Sequence, residues 1–256
     1  MQDTKDYIRI YAKARPVFLS VLRGKEAALY QQFLPLKHPI LDVGCGDGFF
    51  ASVTFGTKKT DVGLDTEESR IREAAATAAY KKIVTYDGYT IPFPNRSFQT
   101  VIINSVLEHV DDLPRVLSEV KRVLKPNGVC YATVMAAPWE RYLFGSKIFG
   151  NGYTRWMKKK QVHVNLLSYG EWKQAFVRAG LTPTATLPYL GPSAGGLLDI
   201  LHYVSLPSLI SYMLTKRWVL WPGGTGIYPY SRFASAMDEP VSRDDAGALF
   251  FVLKRT

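Results

Sequence analysis

The sequence predicts an α/β protein whose sheet is mostly parallel. Short runs rich in Val and Ile, such as Ile40–Val43 and Phe98–Ile103, alternate with segments of helical periodicity. This alternation is typical of β-α-β units, in which a crossover helix joins two parallel strands. In addition, the glycine-rich segment Gly44–Gly48 directly follows the first apolar run, at the edge where sheets of this class bind ligands.

Each predicted element follows from its local pattern. Residues 3–34 form a helical region broken at Pro16, with apolar residues at helical spacing before the break. Further helices are predicted over Asp47–Phe55, Glu67–Tyr80, Leu113–Leu124 and 168–181. Strands are predicted over Ile40–Val43, Asp61–Leu64, Lys82–Thr85, Phe98–Ile103, Gly128–Val134, 181–190 and 248–255.

The predicted organisation is an N-terminal helical cap over 1–37 and one larger domain over 38–256. That domain carries insertions at about 136–166 and 190–246. The second insertion is far longer than an ordinary connection of about 4 to 6 residues. Because it is apolar, we expect a helical insert before the last strand and not a disordered loop.

Composition bounds the class of protein. Of 256 residues, 47% are hydrophobic and 21% are charged, which is typical of a globular chain. The formal net charge of +10 favours an anionic partner, such as a phosphate-bearing molecule, an acidic membrane surface or nucleic acid. With only two Cys residues we expect no disulfide framework. The N-terminal segment lacks the apolar run of a secretory signal, so we expect a cytoplasmic protein.

The segment ILDVGCGDGFF, residues 40–50, places Gly44, Gly46 and Gly48 between a strand and a helix. Glycine allows positive φ and removes the Cβ that would block a ligand approaching the backbone. The spacing differs from the dinucleotide fingerprint G-x-G-x-x-G, because the third glycine comes one residue early and Asp42 stands before the first. A nucleotide-like cofactor and a purely structural turn both stay open at this point.

Two carboxylates follow the next two strands. Asp65 ends the second strand, where a carboxylate can accept hydrogen bonds from both hydroxyls of a ribose. The alternative is that Asp65 or Thr66 caps the helix that follows. Asp87 follows the third strand and could accept a hydrogen bond from the amine of a base. The alternative there is a turn formed by Asp87 and Gly88.

Taken together, four segments resemble successive motifs of class I S-adenosylmethionine-dependent methyltransferases: ILDVGCGDGFF, VGLDTEES, YDGYTIPFPNRSFQTVIINSVLEHVDD and VLKPNGV. The resemblance covers roughly residues 38–135 and is greatest for the branch that includes ubiquinone- and menaquinone-biosynthesis enzymes and many small-molecule methyltransferases. It implies a Rossmann-like sheet of seven strands with helices on both faces. It also implies an antiparallel last strand, which residues 248–255 would supply. Gln99 stands where the family usually has an acidic residue, and we expect little effect on cofactor binding.

The resemblance implies S-adenosyl-L-methionine as the cofactor. Asp42 and the backbone of Gly44–Gly46 would face its methionine end, Asp65 would hold the ribose, and Asp87 with the Gly88 N–H would meet the adenine. Asn104 would lie near the methionine moiety. The full set of cofactor-binding residues that we expect is Asp42, Gly44, Cys45, Gly46, Asp65, Thr66, Asp87, Gly88 and Asn104.

Methyl transfer requires a nucleophile held in line with the methyl group, about 3 to 3.5 Å away. A base helps where the nucleophile is a hydroxyl or an activated carbon. His109, in the segment LEHV after the fourth strand, is the first candidate for this base or for orienting the acceptor. His163 is the second candidate and His202 a weaker third. The alternative for His109 is a half-buried histidine that packs its loop.

The sequence lacks the motifs of several related chemistries, namely the methylation of base amino groups and radical chemistry at an iron–sulfur centre. The segment after the fourth strand reads NSVL, not the D/N-P-P-Y/F motif of enzymes that methylate amino groups of nucleic-acid bases. Cys45 and Cys130 are too far apart in sequence to form the cluster that an iron–sulfur centre requires. No cluster of carboxylates indicates a metal site, so we expect none, and a metal site like that of catechol methyltransferases stays open as the alternative.

Two stretches of the second half bear on the partner. Residues 139–160 interleave aromatic and basic residues, which is typical of a membrane interface or of a surface for single-stranded nucleic acid. The alternative is a cationic cap with its aromatic residues in the core. Within 195–224, the run Ile200–Thr215 carries no charge, but it is shorter than the about 20 residues of a spanning helix. Lys216, Arg217 and Trp221 follow it, as in an interfacial anchor; the alternative is a lid that packs on its own domain.

The sequence therefore predicts methyl transfer to a small or lipid-like acceptor, preferably at oxygen and alternatively at carbon. We expect peripheral contact with an anionic membrane. One alternative is a non-enzymatic protein with a cofactor-binding fold. Another is an RNA methyltransferase that uses the basic aromatic surface, although nucleic acid is the disfavoured partner. The sequence does not predict an oligomeric state.

Overall fold

The computed structural model describes residues 3–57 and 59–256, which divide into two compact units. The first unit comprises Met1–Gln32, Pro138–Gln161 and Pro188–Gly247. The second comprises Phe33–Ala137, Val162–Leu187 and Ala248–Thr256. The cap predicted over 1–37 and the domain predicted over 38–256 divide the chain differently and stay a prediction. Residues 1 and 2 of that cap lie outside the described residues.

The second unit is built on a β-sheet. The strands are β1 (Ile40–Val43), β2 (Thr60–Thr66), β3 (Tyr80–Tyr86), β4 (Phe98–Asn104), β5 (Leu124–Met135), β6 (Leu181–Tyr189) and β7 (Ala248–Arg255). In the described chain they form one seven-stranded sheet in the order β3-β2-β1-β4-β5-β7-β6. The first five strands pair in parallel, and β7 is antiparallel to β5. The predicted α/β class and the antiparallel last strand are confirmed.

Helices occupy most of the connections and nearly all of the first unit's regular structure, which also includes the last two residues of β6. They are, in chain order, α1 (Thr4–Ala12), α2 (Val17–Tyr30), α3 (Phe49–Thr54), α4 (Ile71–Thr77), α5 (Leu113–Val123), α6 (Trp139–Tyr142), α7 (Phe144–Lys160), α8 (Tyr169–Arg178), α9 (Pro192–Val204), α10 (Leu206–Thr215) and α11 (Tyr230–Met237). Helices α9, α10 and α11 form the helical insert that the apolar composition predicts before the last strand.

Local sequence explains where several helices begin and which face they bury. The side chain of Asp112 accepts a hydrogen bond from Arg115 N at 3.1 Å and caps α5. Helix α5 then buries Val116, Leu117 and Val120, at the spacing that places residues on one side of a helix. Helix α8 begins with a capping box, in which the side chains of Ser168 and Glu171 bond to each other's backbone N–H.

The helix predicted over Glu67–Tyr80 is shorter in the structure and begins at Ile71. Before it, Thr66 O accepts hydrogen bonds from both the N–H and the hydroxyl of Ser69, and this turn takes the place of the first helical turn. At the other end, Ala78 adopts a left-handed φ of 52° and ends the helix. Tyr80 therefore begins β3, where its ring reaches the core.

The first unit is helical. Pro16 separates α1 from α2, as its missing N–H predicts. The side chain of Glu26 on α2 is fully buried and accepts hydrogen bonds from Tyr189 at 3.0 Å and from Arg23. Among the described residues, no single helix has the length and hydropathy to cross a bilayer, whereas α9 and α10 meet both criteria together as a pair bent by 43°.

Candidate active site

The glycine-rich turn is fastened to the end of β2. The N–H groups of Gly44 and Cys45 both donate to Leu64 O, at 2.7 and 3.1 Å. Gly44, Gly46 and Gly48 all have positive φ, at 75°, 53° and 73°, a region that L-residues with a Cβ rarely adopt. The conformation of the turn therefore depends on the positive φ angles of these three glycines.

The three glycines face different surroundings. A Cβ on Gly44 would lie 2.2 Å from Val106 Cγ2, and one on Gly48 would lie 2.7 Å from Thr77 Oγ1. At Gly46, in contrast, a Cβ would meet no heavy atom within 4 Å beyond Gly46 and its two neighbours in the described chain. Gly44 and Gly48 thus permit close internal packing, whereas Gly46 exposes its backbone to open space.

Asp65 lies beside this open position. Its Oδ2 accepts a hydrogen bond from Gly46 N at 2.6 Å, and its Oδ1 accepts one from Thr66 N at 2.7 Å. Burial raises the pKa of Asp65, while these backbone N–H groups oppose the rise. Arg70 occupies the N-cap position of α4. The structure therefore does not support the alternative in which Asp65 or Thr66 caps that helix.

Asp42 is buried within the sheet at 3% exposure. Its Oδ2 accepts a hydrogen bond from the hydroxyl of Tyr80 at 2.6 Å. Burial raises the pKa of Asp42 to about 7, and the Tyr80 hydroxyl partly opposes this by stabilising the carboxylate. Sequence reasoning missed Tyr80, because the alanine-rich segment before it extends the helical pattern to this position.

Asp87 forms a turn at the end of β3. Its Oδ1 accepts hydrogen bonds from Tyr89 N at 2.9 Å and Thr90 N at 2.7 Å, and these lower its pKa. The turn formed by Asp87 and Gly88, which the sequence offered as the alternative to a ligand-binding role, is therefore present in the structure. A carboxylate has about four acceptor positions, so this turn leaves it able to accept from a ligand as well. Gly88 follows with φ of 84°.

The segment after β4 packs against the glycine-rich turn through Val106. Asn104, at the end of β4, is buried at 9% exposure. Glu108 is fully buried, and its Oε1 accepts a hydrogen bond from Met135 N at 3.3 Å. Sequence reasoning missed Glu108; its position between Leu107 and His109 in the segment LEHV was the available signal.

The two histidines that the sequence singled out lie together. The rings of His109 and His163 stack with centroids 5.4 Å apart. His109 Nδ1 lies 3.0 Å from Val162 O, which fastens the loop after β4 to the segment that carries His163. The backbone of this segment adds bonds from Val164 N and Asn165 N to Glu108 O, at 2.8 and 2.9 Å.

The remaining histidine candidate and the two cysteines have different surroundings. His202 belongs to the first unit, where its ring packs edge-on against Phe18 at 4.8 Å and burial lowers its pKa. Cys45 and Cys130 are buried thiols whose pKa is raised by burial, which makes them poor nucleophiles. Residues 3–57 and 59–256 contain no group of three or more His, Cys, Asp or Glu that could hold a metal ion.

Residues 41–132 match the family model described as "Methyltransferase domain". This segment contains β2, β3 and β4 with the turns that follow them, and most of β1 and β5. Over these residues the chain is therefore similar to a methyltransferase domain. The resemblance drawn from the four sequence motifs is confirmed.

Curated relatives match the methyltransferase domain over part of their length. The demethylmenaquinone methyltransferase of Symbiobacterium thermophilum is 30% identical over 135 residues, which are 49% of this chain and 53% of that protein. The mitochondrial arginine-hydroxylase of Rattus norvegicus is 34% identical over 93 residues, 35% of this chain and 26% of that protein. The chain thus spans about half or less of the length of these relatives.

Solved structures match the fold over nearly the whole chain. A methyltransferase of Thermotoga maritima, described as a possible histamine N-methyltransferase, aligns with a TM-score of 0.59 at 17% identity, covering 98% of this chain and 95% of its own. The geranyl diphosphate C-methyltransferase of Streptomyces coelicolor aligns with a TM-score of 0.57 at 18% identity, covering 94% and 84%. The latter structure contains S-adenosyl-L-homocysteine. The predicted Rossmann-like fold is confirmed.

Proposed function

We propose that this protein transfers the methyl group of S-adenosylmethionine to a small-molecule acceptor. The observation that carries the proposal is the open backbone at Gly46 next to the carboxylate of Asp65. The positive φ and empty Cβ position at Gly46 suit close approach by a cofactor. Asp65 lies 2.6 Å from the same N–H and is held in place by two backbone groups.

Further side chains at the carboxyl ends of the neighbouring strands extend this assignment. We assign Asp65 and the adjacent Thr66 to the ribose, since a carboxylate here can accept from both hydroxyls. Asp87 and the Gly88 N–H are assigned to the adenine, supported by their place at the end of the neighbouring strand β3. The assignment to the methionine end comprises Asp42, Gly44, Cys45, Gly46 and Asn104.

Bound S-adenosylmethionine supplies an electrophilic sulfonium methyl group. The histidines contribute the proton chemistry. Since Val162 O can only accept, its hydrogen bond with His109 Nδ1 requires that nitrogen to carry a proton, so that in the neutral ring the basic lone pair lies on Nε2. We therefore propose His109 Nε2 as the base for an acceptor hydroxyl, with His163 stacked beside it to orient the ring.

The finer part of the proposal concerns the acceptor. We propose methylation at oxygen, with carbon as the alternative. A hydroxyl must lose a proton during methylation, and His109 lies after the carboxyl end of β4, where it could accept that proton. A lipid-like acceptor and a peripheral location at an anionic membrane are supported by the apolar insert and the net charge of +10.

Calorimetry with S-adenosylmethionine tests the cofactor assignment. We expect Asp65→Asn to weaken binding at least tenfold, because an amide cannot accept as a carboxylate does. The matched control is Asp61→Asn on the same strand β2. Asp61 accepts a hydrogen bond from Ile40 N at 2.7 Å and pairs with Lys81, away from the glycine-rich turn. The control should bind like the wild type.

Turnover requires a second experiment. Extract incubated with the wild type and S-adenosylmethionine should yield a product heavier by one CH2 group, and Asp65→Asn should not yield it. Failure of the wild type to bind S-adenosylmethionine at all would overturn the proposal. Binding without any methylated product would overturn the enzymatic part and leave a cofactor-binding protein.

A further inference from the structure

Helix α10 turns its apolar side outward. Its large apolar side chains recur at i, i+3, i+4, i+7 and i+8, which places them on one face of a helix. All five are exposed, by 45% to 79%. They are Leu206, Leu209, Ile210, Met213 and Leu214, and we call this face the α10 stripe.

The polar side of α10 faces the chain. Ser211 Oγ donates to Arg217 O at 2.6 Å, and the ring of Tyr212 stacks on Trp218 with centroids 4.1 Å apart. At the start of the helix, Ser205 Oγ accepts a hydrogen bond from Phe18 N at 3.2 Å. These contacts hold the polar side of α10 against the segment that follows it and the start of the helix against α2, and the α10 stripe is left exposed.

The loop after α10 continues the apolar surface. Leu220 and Trp221 are 63% and 77% exposed, and Ile227 is 85% exposed. An apolar surface that extends over a helix and the following loop marks an interaction site.

The charges beside the stripe indicate what covers it. Lys216 and Arg217 are exposed directly after α10, and Lys216 Nζ lies 5.5 Å from the centre of the Tyr212 ring. Cationic residues next to exposed Trp and Leu are typical of helices that lie at a membrane surface. A second copy of the chain would bring the same cations to the same face, and like charges repel.

The length and attachments of the helices favour a helix that lies on the bilayer. Ten residues extend about 15 Å, half of the about 30 Å of a hydrocarbon core. Helix α9 is held within the first unit through buried Asp199, which accepts hydrogen bonds from Gly145 N at 2.8 Å and from the Tyr153 hydroxyl at 2.5 Å.

We propose that the α10 stripe, Leu220 and Trp221 insert into the boundary between headgroups and acyl chains of an anionic bilayer, with Lys216 and Arg217 at the lipid phosphates. This proposal rests on the peripheral membrane location in the proposed function and names the surface that binds the membrane. The membrane binding does not itself require methyl transfer. Its test reads lipid binding and not activity.

Sedimentation with vesicles tests the docking on the full chain. We expect the wild type to sediment with vesicles of phosphatidylcholine and phosphatidylglycerol, and more weakly with phosphatidylcholine alone. Met213→Ser/Leu214→Ser should weaken the binding at least tenfold, since two apolar side chains no longer insert. The control Val177→Ser changes an apolar residue of α8 that is 51% exposed, and should bind like the wild type.

The charge is tested separately. Each of Lys216→Gln and Arg217→Gln should weaken binding to the anionic vesicles about fivefold and leave binding to pure phosphatidylcholine unchanged. These side chains are exposed, and circular dichroism verifies that the variants are folded. The proposal is overturned if the wild type ignores anionic vesicles. It is also overturned if the protein is a dimer that Met213→Ser/Leu214→Ser converts to a monomer, because the stripe then covers a second copy.

Discussion

Substituting alanine at Gly44 and at Gly46 separates a packing role from a ligand role within one turn. Both positions have left-handed φ, which costs an L-residue about 1 to 2 kcal/mol. At Gly44 the new Cβ would also lie 2.2 Å from Val106 Cγ2, an overlap that costs about 1 to 3 kcal/mol more. We therefore expect a loss in free energy of unfolding of about 2 to 5 kcal/mol for Gly44→Ala and about 1 to 2 kcal/mol for Gly46→Ala.

The affinity for S-adenosylmethionine should show the opposite order. Among folded molecules, Gly46→Ala should bind the cofactor more weakly than Gly44→Ala does. Gly46→Ala places a methyl group in the open space beside Asp65 and should weaken cofactor binding at least tenfold while the protein stays folded. Urea unfolding measures the stability, and calorimetry under conditions where each variant is folded measures the binding.

A double substitution supplies the control. In Gly44→Ala/Val106→Ala the overlap is removed, so the pair should be more stable than the sum of the single effects predicts, by about 1 to 3 kcal/mol. The reasoning is refuted if Gly46→Ala binds the cofactor as tightly as the wild type. It is refuted equally if the double substitution is strictly additive, since the contact with Val106 would then carry no energy.

Three further predictions concern single groups. Because the pKa of Asp42 is raised from 3.8 to about 7, the native state binds more protons than the unfolded chain between these values; this group should lower stability by about 4 kcal/mol as pH rises through that window. Asp42→Asn should remove that part of the slope, as urea unfolding at pH 5 and pH 8 would detect, and an unchanged slope would contradict the assignment. His109→Gln should lower turnover about a hundredfold or more while the Kd for S-adenosylmethionine stays constant; a rate equal to the wild type would exclude His109 as the base. Ser168→Ala removes the acceptor for Glu171 N and should cost about 1 kcal/mol in urea unfolding, and a loss of activity without loss of stability would be unexpected.

The sheet could be predicted because its strands are buried runs with clear ends. The predicted bounds of β1 and β7 agree with the structure, since Ile40–Val43 and 248–255 stand between polar or turn-forming residues. The end of the helix before β3 could not be predicted. There the helical periodicity continues through Ala78 and Tyr80, whereas in the structure Ala78 adopts a left-handed φ and Tyr80 pairs with Thr60 in the sheet.

The site was predictable as a set of positions but not as a set of contacts. Asp42 and Tyr80 belong to β1 and β3, with β2 between them, so their hydrogen bond depends on the order of strands in the sheet. The sequence also could not predict which way the apolar face of α10 points. The same spacing of apolar residues from Leu206 to Leu214 fits a helix whose apolar face packs on the core. The exposure of these side chains in the structure shows that they face outward.

The place of β7 in the sheet has a consequence for how the protein is made. Residues 248–255 follow every other described element in the chain, yet β7 lies between β5 and β6. While the ribosome still holds these residues, β5 therefore presents an unpaired edge and β6 has no neighbour in the sheet. Such an edge is open to pairing with another nascent chain. We expect that the sheet closes only after translation has passed Arg255, and that chaperones which shield strand edges improve the yield of folded protein.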